Sequence, residues 1–210
     1  AKTYTFKLRK SFWSNGQPLT AHDFEYAWKK ILEPSFKTVF DYLLQPILNA
    51  RLVKAGRLPI EALGVRAVSD EILVVDLERR TPHFLELCCL WIYSPLCREI
   101  DKTYPGWAYY GDRTYVCNGP FKLTKWCRNS GIQVLKNEWY WDKERVNLER
   151  INISIIEDPL QALEQFERGE LDWMGEPLSE TPMCLIKQKN PRIHSQPMSA
   201  VQWYELNVQH

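Results

Sequence analysis

The hydrophobic positions of this chain change period several times, and each change predicts a switch between strand and helix. Tyr4, Phe6 and Leu8 alternate with polar residues, the two-residue period of a half-buried strand. The turn-forming cluster at 14–18 (SNGQP) ends it. Thr20 then opens a helix. Asp23 stands three residues on, as a capping box requires, and Leu19 is placed to staple onto Phe24. Phe24, Trp28, Ile31 and Leu32 make one apolar stripe, and Pro34 forbids continuation. A second helical period covers 38–50, with a break expected at Pro46. Residues 64–77 read as two strands joined at Ser69 and Asp70.

The second half repeats these signals. Phe121 and Leu123 against Ile132 and Val134 predict an antiparallel pair around the turn at 129–131 (NSG), and Ile151, Ile153 and Ile155 alternate in a third strand. A short helix is expected over 158–169. Asp158 caps its first free amides, Pro159 loses nothing at the first helical position, and Gly169 supplies the left-handed stop. Residues 170–175 (ELDWMG) then predict a short strand ending on glycine, where a ligand can approach the backbone closely. Residues 201–207 (VQWYELN) predict one more strand. Alternation puts Trp203, Glu205 and Asn207 on one face and Tyr204 and Leu206 on the other, which we read as core. Two units follow: a small sheet-plus-helix domain over 1–95, and an α/β unit over 96–210 in which strands are separated by helices.

Composition narrows the function classes. The 210 residues are 45% hydrophobic, enough for a substantial core. Net charge is +1, from 27 basic and 26 acidic residues, so no electrostatic footprint for nucleic acid is visible. No apolar run reaches the roughly 18 residues of a membrane span. The six cysteines contain no Cys-x-x-Cys pair, and adjacent Cys88 and Cys89 in an apolar run read as buried free thiols. The four histidines are scattered, so no metal site and no cofactor are expected. There is no Gly-x-Ser-x-Gly elbow, no Gly-rich phosphate loop and no His-Glu-x-x-His, which argues against an enzyme such as a peptidase. Glu170 and Asp172, two apart, read as a solvated edge rather than a catalytic pair.

Five segments in order resemble one family. They are 4–28 (YTFKLRKSFWSNGQPLTAHDFEYAW), 64–77 (GVRAVSDEILVVDL), 118–123 (NGPFKL), 137–141 (NEWYW) and 158–173 (DPLQALEQFERGELDW). Together they resemble the extracellular solute-binding proteins, family 5, the oligopeptide- and dipeptide-binding proteins of ABC importers. The resemblance implies an α/β fold: a periplasmic-binding-protein-like lobe of type II, cluster C, with an inserted small α+β side domain. It implies that 1–95 is the side domain and 96–210 part of the hinge-bearing lobe. It also implies a longer protein, with further N-terminal strands, a secreted or lipidated N-terminus and a large C-terminal lobe.

The function implied is capture of short peptides in an interlobe cleft by main-chain recognition, as the substrate-binding component of an ABC importer. The partners implied are a short peptide and a membrane permease, with no nucleic acid. The protein would be a monomer, in the periplasm or on the outer face of the cytoplasmic membrane. An extended peptide presents alternating N–H and C=O groups that a strand-like edge can satisfy whatever its side chains. Trp173, Met174 and Gly175 fit such an edge, with Glu176 beside them. Glu176 and Pro177 stand where oligopeptide binders carry asparagine, and Pro177 has no N–H to donate. The resemblance also assigns the ligand Tyr42, from the side domain, and the terminal-strand face of Trp203, Glu205 and Asn207. Ala200 stands where some relatives carry a disulfide cysteine. The alternatives are the same fold with a non-peptide solute (a glutathione-like thiol, haem, a nickel complex or a sugar), or a scaffold domain with no small ligand. A half-cleft should expose an apolar patch; a finished scaffold should not.

Overall fold

The computed structural model describes residues 1–109, 114–175 and 193. Its strands are β1 (Thr3–Lys7), β2 (Ser11–Phe12), β3 (Pro18–Leu19), β4 (Val65–Ser69), β5 (Ile72–Asp76), β6 (Phe121–Cys127), β7 (Gly131–Lys136) and β8 (Arg150–Ser154). Its α-helices are α1 (Ala21–Leu32), α2 (Ala50–Lys54), α3 (Phe84–Leu87), α4 (Arg98–Thr103) and α5 (Pro159–Glu167). The chain divides into two compact units, Ala1–Ile155 and Ile156–His210.

The first unit is built on an antiparallel sheet of order β1-β5-β4. Val75, in register with both Tyr4 and Val65, is fully buried at its centre. Helix α1 covers this sheet. The backbone N–H of Thr20 donates to Asp23 Oδ2 at 2.9 Å, the capping arrangement the sequence predicts, and Phe24 packs beside Leu19 as the staple requires. Leu32, Leu44, Ile47 and Phe84 complete the core with no solvent exposure.

The far end of α1 is closed from outside the helix. The Lys54 ammonium donates to the carbonyls of Ile31 at 2.8 Å and Glu33 at 3.1 Å, and also to that of Phe36. The Ile31 carbonyl is one that a helix end leaves without an intrahelical partner, while that of Glu33 also accepts the Phe36 N–H at 3.1 Å.

The helix expected over 38–50 does not form as one element. A single 3-10 turn occupies Asp41–Leu44, Ile47 forms an isolated bridge to Leu77, and Asn49 adopts a left-handed φ of 64° before α2 begins. Pro46 cannot donate, and its carbonyl is drawn out of helical pairing by the Glu78 N–H at 2.9 Å. The sheet edge outcompetes the helix.

Contacts cross residue 95 within this unit. Asp101 on α4 is held by Lys30, by the Tyr26 hydroxyl at 2.6 Å and by the Trp107 indole N–H at 3.0 Å. The backbone N–H of Ser14 donates to the Cys117 carbonyl at 2.7 Å. Burial pushes the Asp101 carboxyl up, but the hydrogen bonds from Lys30, Tyr26 and Trp107 outweigh it and leave the group below the ordinary aspartate range.

The second sheet, of order β6-β7-β8, is antiparallel and pairs Ile132 with Ile153 and Val134 with Ile151. Asn129, at φ 63°, makes the expected turn between β6 and β7. The NGP and NEWY segments meet at Asn137, which is fully buried. Its side-chain amide donates to the Gly119 carbonyl at 2.8 Å, and its side-chain oxygen accepts the Trp139 N–H at 3.1 Å. Trp139 in turn lies against Gly16, whose φ is 86°, and against the Phe12 ring.

Five cysteines fall among the described residues and all are free: Cys97 is buried, Cys88, Cys117 and Cys127 are half-buried, and Cys89 is exposed. The reading of Cys88 and Cys89 as two buried thiols therefore holds only in part. Burial, then the neighbouring Cys89, pushes the Cys88 thiol up to about 11.

Within the second unit, α5 begins as its sequence dictates. Asp158 Oδ1 accepts the Leu160 N–H at 2.9 Å, and Gly169 closes the helix at φ 75°. The strand expected at 170–175 is not formed. Glu170 N–H turns back to the Gln165 carbonyl at 2.9 Å, and no ladder partner for 171–175 occurs among the described residues. A strand exists only by pairing, so these residues stay irregular, with a bend at Asp172. The strand expected over 201–207 lies outside the described residues, as do Tyr204 and Leu206.

Candidate functional site

Tyr42 sits in the 3-10 turn at Asp41–Leu44, where the preceding aromatic run reaches the surface; 56% of it is exposed. Val39, Phe40 and Trp91 are exposed on the same unit, and the Phe40 and Trp91 rings meet edge-on with centroids 5.2 Å apart. The Phe40–Trp91 pair makes a small exposed apolar patch, of the kind a ligand or partner can cover.

Tyr42 also lines a pocket of about 740 Å³ between residues 42–52 and 78–83. The bridge from Ile47 to Leu77 fixes the two walls, and the Glu78 N–H to Pro46 carbonyl bond locks their register. The lining includes Arg51, Arg79, Arg80 and His83, with Glu78 the one carboxylate. That carboxylate is already engaged: Glu78 Oε2 accepts the Asn49 N–H at 3.1 Å. Arg51 Nε is steered by a 2.9 Å bond to the Gln45 amide oxygen. The sequence reading singled out Tyr42 but none of these basic residues. The adjacent pair Arg79-Arg80, placed directly after a buried strand, was the signal available.

In the second unit, Trp173 is 80% exposed, Met174 half-buried and Gly175 exposed. An indole this free contributes nothing to packing around it. Glu176, Trp203, Glu205 and Asn207 lie outside the described residues. Among the described residues there is no cluster of three metal-ligating side chains, and no helix is long and apolar enough to cross a membrane.

Comparison with known proteins matches this architecture. The family model for bacterial extracellular solute-binding proteins, family 5 Middle, matches residues 1–210. The chain is 38% identical to the oligopeptide-binding protein OppA of Bacillus subtilis over 99% of its own length and 39% of that protein's. It is 36% identical to the dipeptide-binding protein DppE of the same organism, over 99% of this chain and 38% of the relative. The crystal structure of Haemophilus influenzae OppA in complex with the peptide RPPGFSPFR superposes with a TM-score of 0.82 at 30% identity, covering 90% of this chain and 37% of that one. The chain thus spans well under half the length of the curated relatives it matches.

Proposed function

Since the chain belongs to the bacterial extracellular solute-binding proteins, family 5, a family of substrate-binding proteins with the type II solute-binding fold, we propose that it is part of the substrate-binding component of an ABC peptide importer. The observation that carries this reading is the match over 99% of the chain to proteins named for oligopeptide and dipeptide binding. In this reading the protein binds and releases rather than transforms its ligand, works as a monomer outside the cytoplasmic membrane, and hands its cargo to a membrane permease. Residues 1–95 form the inserted side domain, and 96–210 belong to the hinge-bearing lobe.

Capture rests on the peptide main chain. The unladdered segment ending at Trp173, Met174 and Gly175 offers unpaired backbone donors and acceptors to a strand-like ligand. Glu176 borders that edge, and Trp203, Glu205 and Asn207 line side-chain pockets. Tyr42 reaches the ligand from the side domain. The exposed aromatics around Tyr42 support a cleft wall over a finished scaffold domain.

The test is a competition series on the full-length protein with one tripeptide, its side-chain variants and its central N-methyl analogue. The variants should bind within about 1–2 kcal/mol of one another, because the same backbone groups are paired each time. The N-methyl analogue should lose more than that spread. If no peptide competes while a sugar, haem or metal chelate does, the peptide reading falls.

A further inference from the structure

We propose that the pocket between residues 42–52 and 78–83 is an anion-binding subsite that gives the bound peptide an acidic preference, with Arg79 and Arg80 as the selecting residues. The inference rests on the peptide-binding reading above, through Tyr42, which lines this pocket and belongs to the proposed ligand contacts.

The charge arrangement carries it. Arg51, Arg79, Arg80 and His83, all exposed, line one open concavity. None of the three guanidinium groups has a carboxylate within 4.0 Å among the described residues, and Arg79 and Arg80 donate no side-chain hydrogen bond there. Elsewhere on the same unit some basic side chains are paired, as Arg66 with Asp76 at 2.5 Å and Lys122 with Glu138 at 2.8 Å. Others, such as Arg57, are exposed and stand alone among the described residues. What sets the pocket apart is that three guanidinium groups share one lining. The pocket is therefore a local excess of positive charge in a chain whose net charge is only +1. Like charges gathered in a concave wall repel one another and focus a positive potential, and an incoming anion relieves both.

Guanidinium suits a carboxylate in particular, since its planar fork donates two parallel hydrogen bonds. Arg51 is held in place by Gln45, whereas Arg79 and Arg80 remain available to swing onto a ligand. The volume of about 740 Å³ is far more than one carboxylate needs. It falls in the range of small-molecule sites, roughly 300–1,000 Å³, and admits an acidic side chain with part of its backbone. Glu78, whose carboxylate accepts the Asn49 N–H, offsets one of the three guanidinium charges and leaves the lining net positive.

The experiment compares peptides identical except for Glu or Gln at each position in turn, competing for the full-length protein and for its Arg79→Gln/Arg80→Gln variant. At one position the Glu peptide should bind about tenfold tighter than its Gln partner, the scale of one charge-assisted pair. That ratio should shrink to about twofold or less in the double variant and stay as in the parent with Arg57→Gln, an exposed arginine outside the pocket. Equal binding of Glu and Gln peptides at every position would overturn the subsite and leave peptide binding standing, as would a preference that survives the double variant. Failure of every peptide to compete, acidic or neutral, would overturn the subsite together with the peptide reading itself.

Discussion

Trp28 and Tyr93 are tied twice: the indole N–H donates to the Tyr93 carbonyl at 2.9 Å, and the two rings meet edge-on with centroids 5.0 Å apart. The Tyr93 hydroxyl continues the chain by donating to the Leu43 carbonyl at 2.7 Å. One aromatic pair thus fastens α1 to both the 91–93 turn and the 41–44 turn that carries Tyr42. Tyr93→Phe, which strands the Leu43 carbonyl, should cost about 1–3 kcal/mol in urea melts. Tyr93→Ala also empties the core and should cost roughly 3–5 kcal/mol. Equal losses from the two would mean that the hydroxyl, not the ring, dominates.

Gly16 is irreplaceable for two separate reasons. Its φ of 86° disfavours any side chain, and an added Cβ would meet the Trp139 ring at 3.1 Å. Gly16→Ala should destabilise by about 1–3 kcal/mol, the left-handed penalty plus some displacement of Trp139. Gly119→Ala, which meets nothing within 4 Å, serves as the control and should stay within about 0.5 kcal/mol. Thermal melts with tryptophan fluorescence read both, since the first variant also shifts the environment of Trp139.

Acid should loosen the joint between α1 and α4. The Asp101 carboxyl is held below its ordinary value in the folded chain, so its stabilisation is complete above the unfolded value of about 3.9 and is lost as pH falls through the folded one. Stability should therefore drop on acidification below about pH 4, with several carboxylates contributing. Asp101→Asn should flatten that drop while lowering stability at neutral pH. An unchanged acid slope in the variant would show that the contacts to Lys30, Tyr26 and Trp107 carry no proton linkage.

Trp173 separates binding from folding. Because 80% of it is exposed, Trp173→Ala should change stability by no more than about 0.5 kcal/mol. In the full-length protein it should weaken a bound peptide by about tenfold, the loss expected for a contact residue. A stability loss of several kcal/mol would place the indole in a core instead.

Local chemistry made most elements legible in the sequence. Thr20 with Asp23, Asp158 with Pro159, Gly169 and Asn129 each act within a few residues, so their spacing alone announces helix ends and a turn. The misreadings share a different cause. Residues 38–50 look helical, but Pro46 and Ile47 are claimed by Glu78 and Leu77. Residues 170–175 look like a strand, yet a strand depends on a partner that periodicity cannot see. The site divides the same way. Tyr42 came from a family resemblance, whereas the gathering of Arg51 with Arg79 and Arg80 arises only when two separated segments are bridged.

Lys54 reaches the end of α1 from 21 to 23 residues downstream of the carbonyls it binds there. Pro34 and the Glu33 N–H mark the end of this helix locally, and part of what holds it is written elsewhere. As the chain leaves the ribosome, residues 21–32 can coil early and the Glu33 N–H can close on the Lys29 and Lys30 carbonyls, but the Ile31 carbonyl waits for α2 to emerge and dock. A single ammonium thus ties the end of the first helix to the arrival of the second.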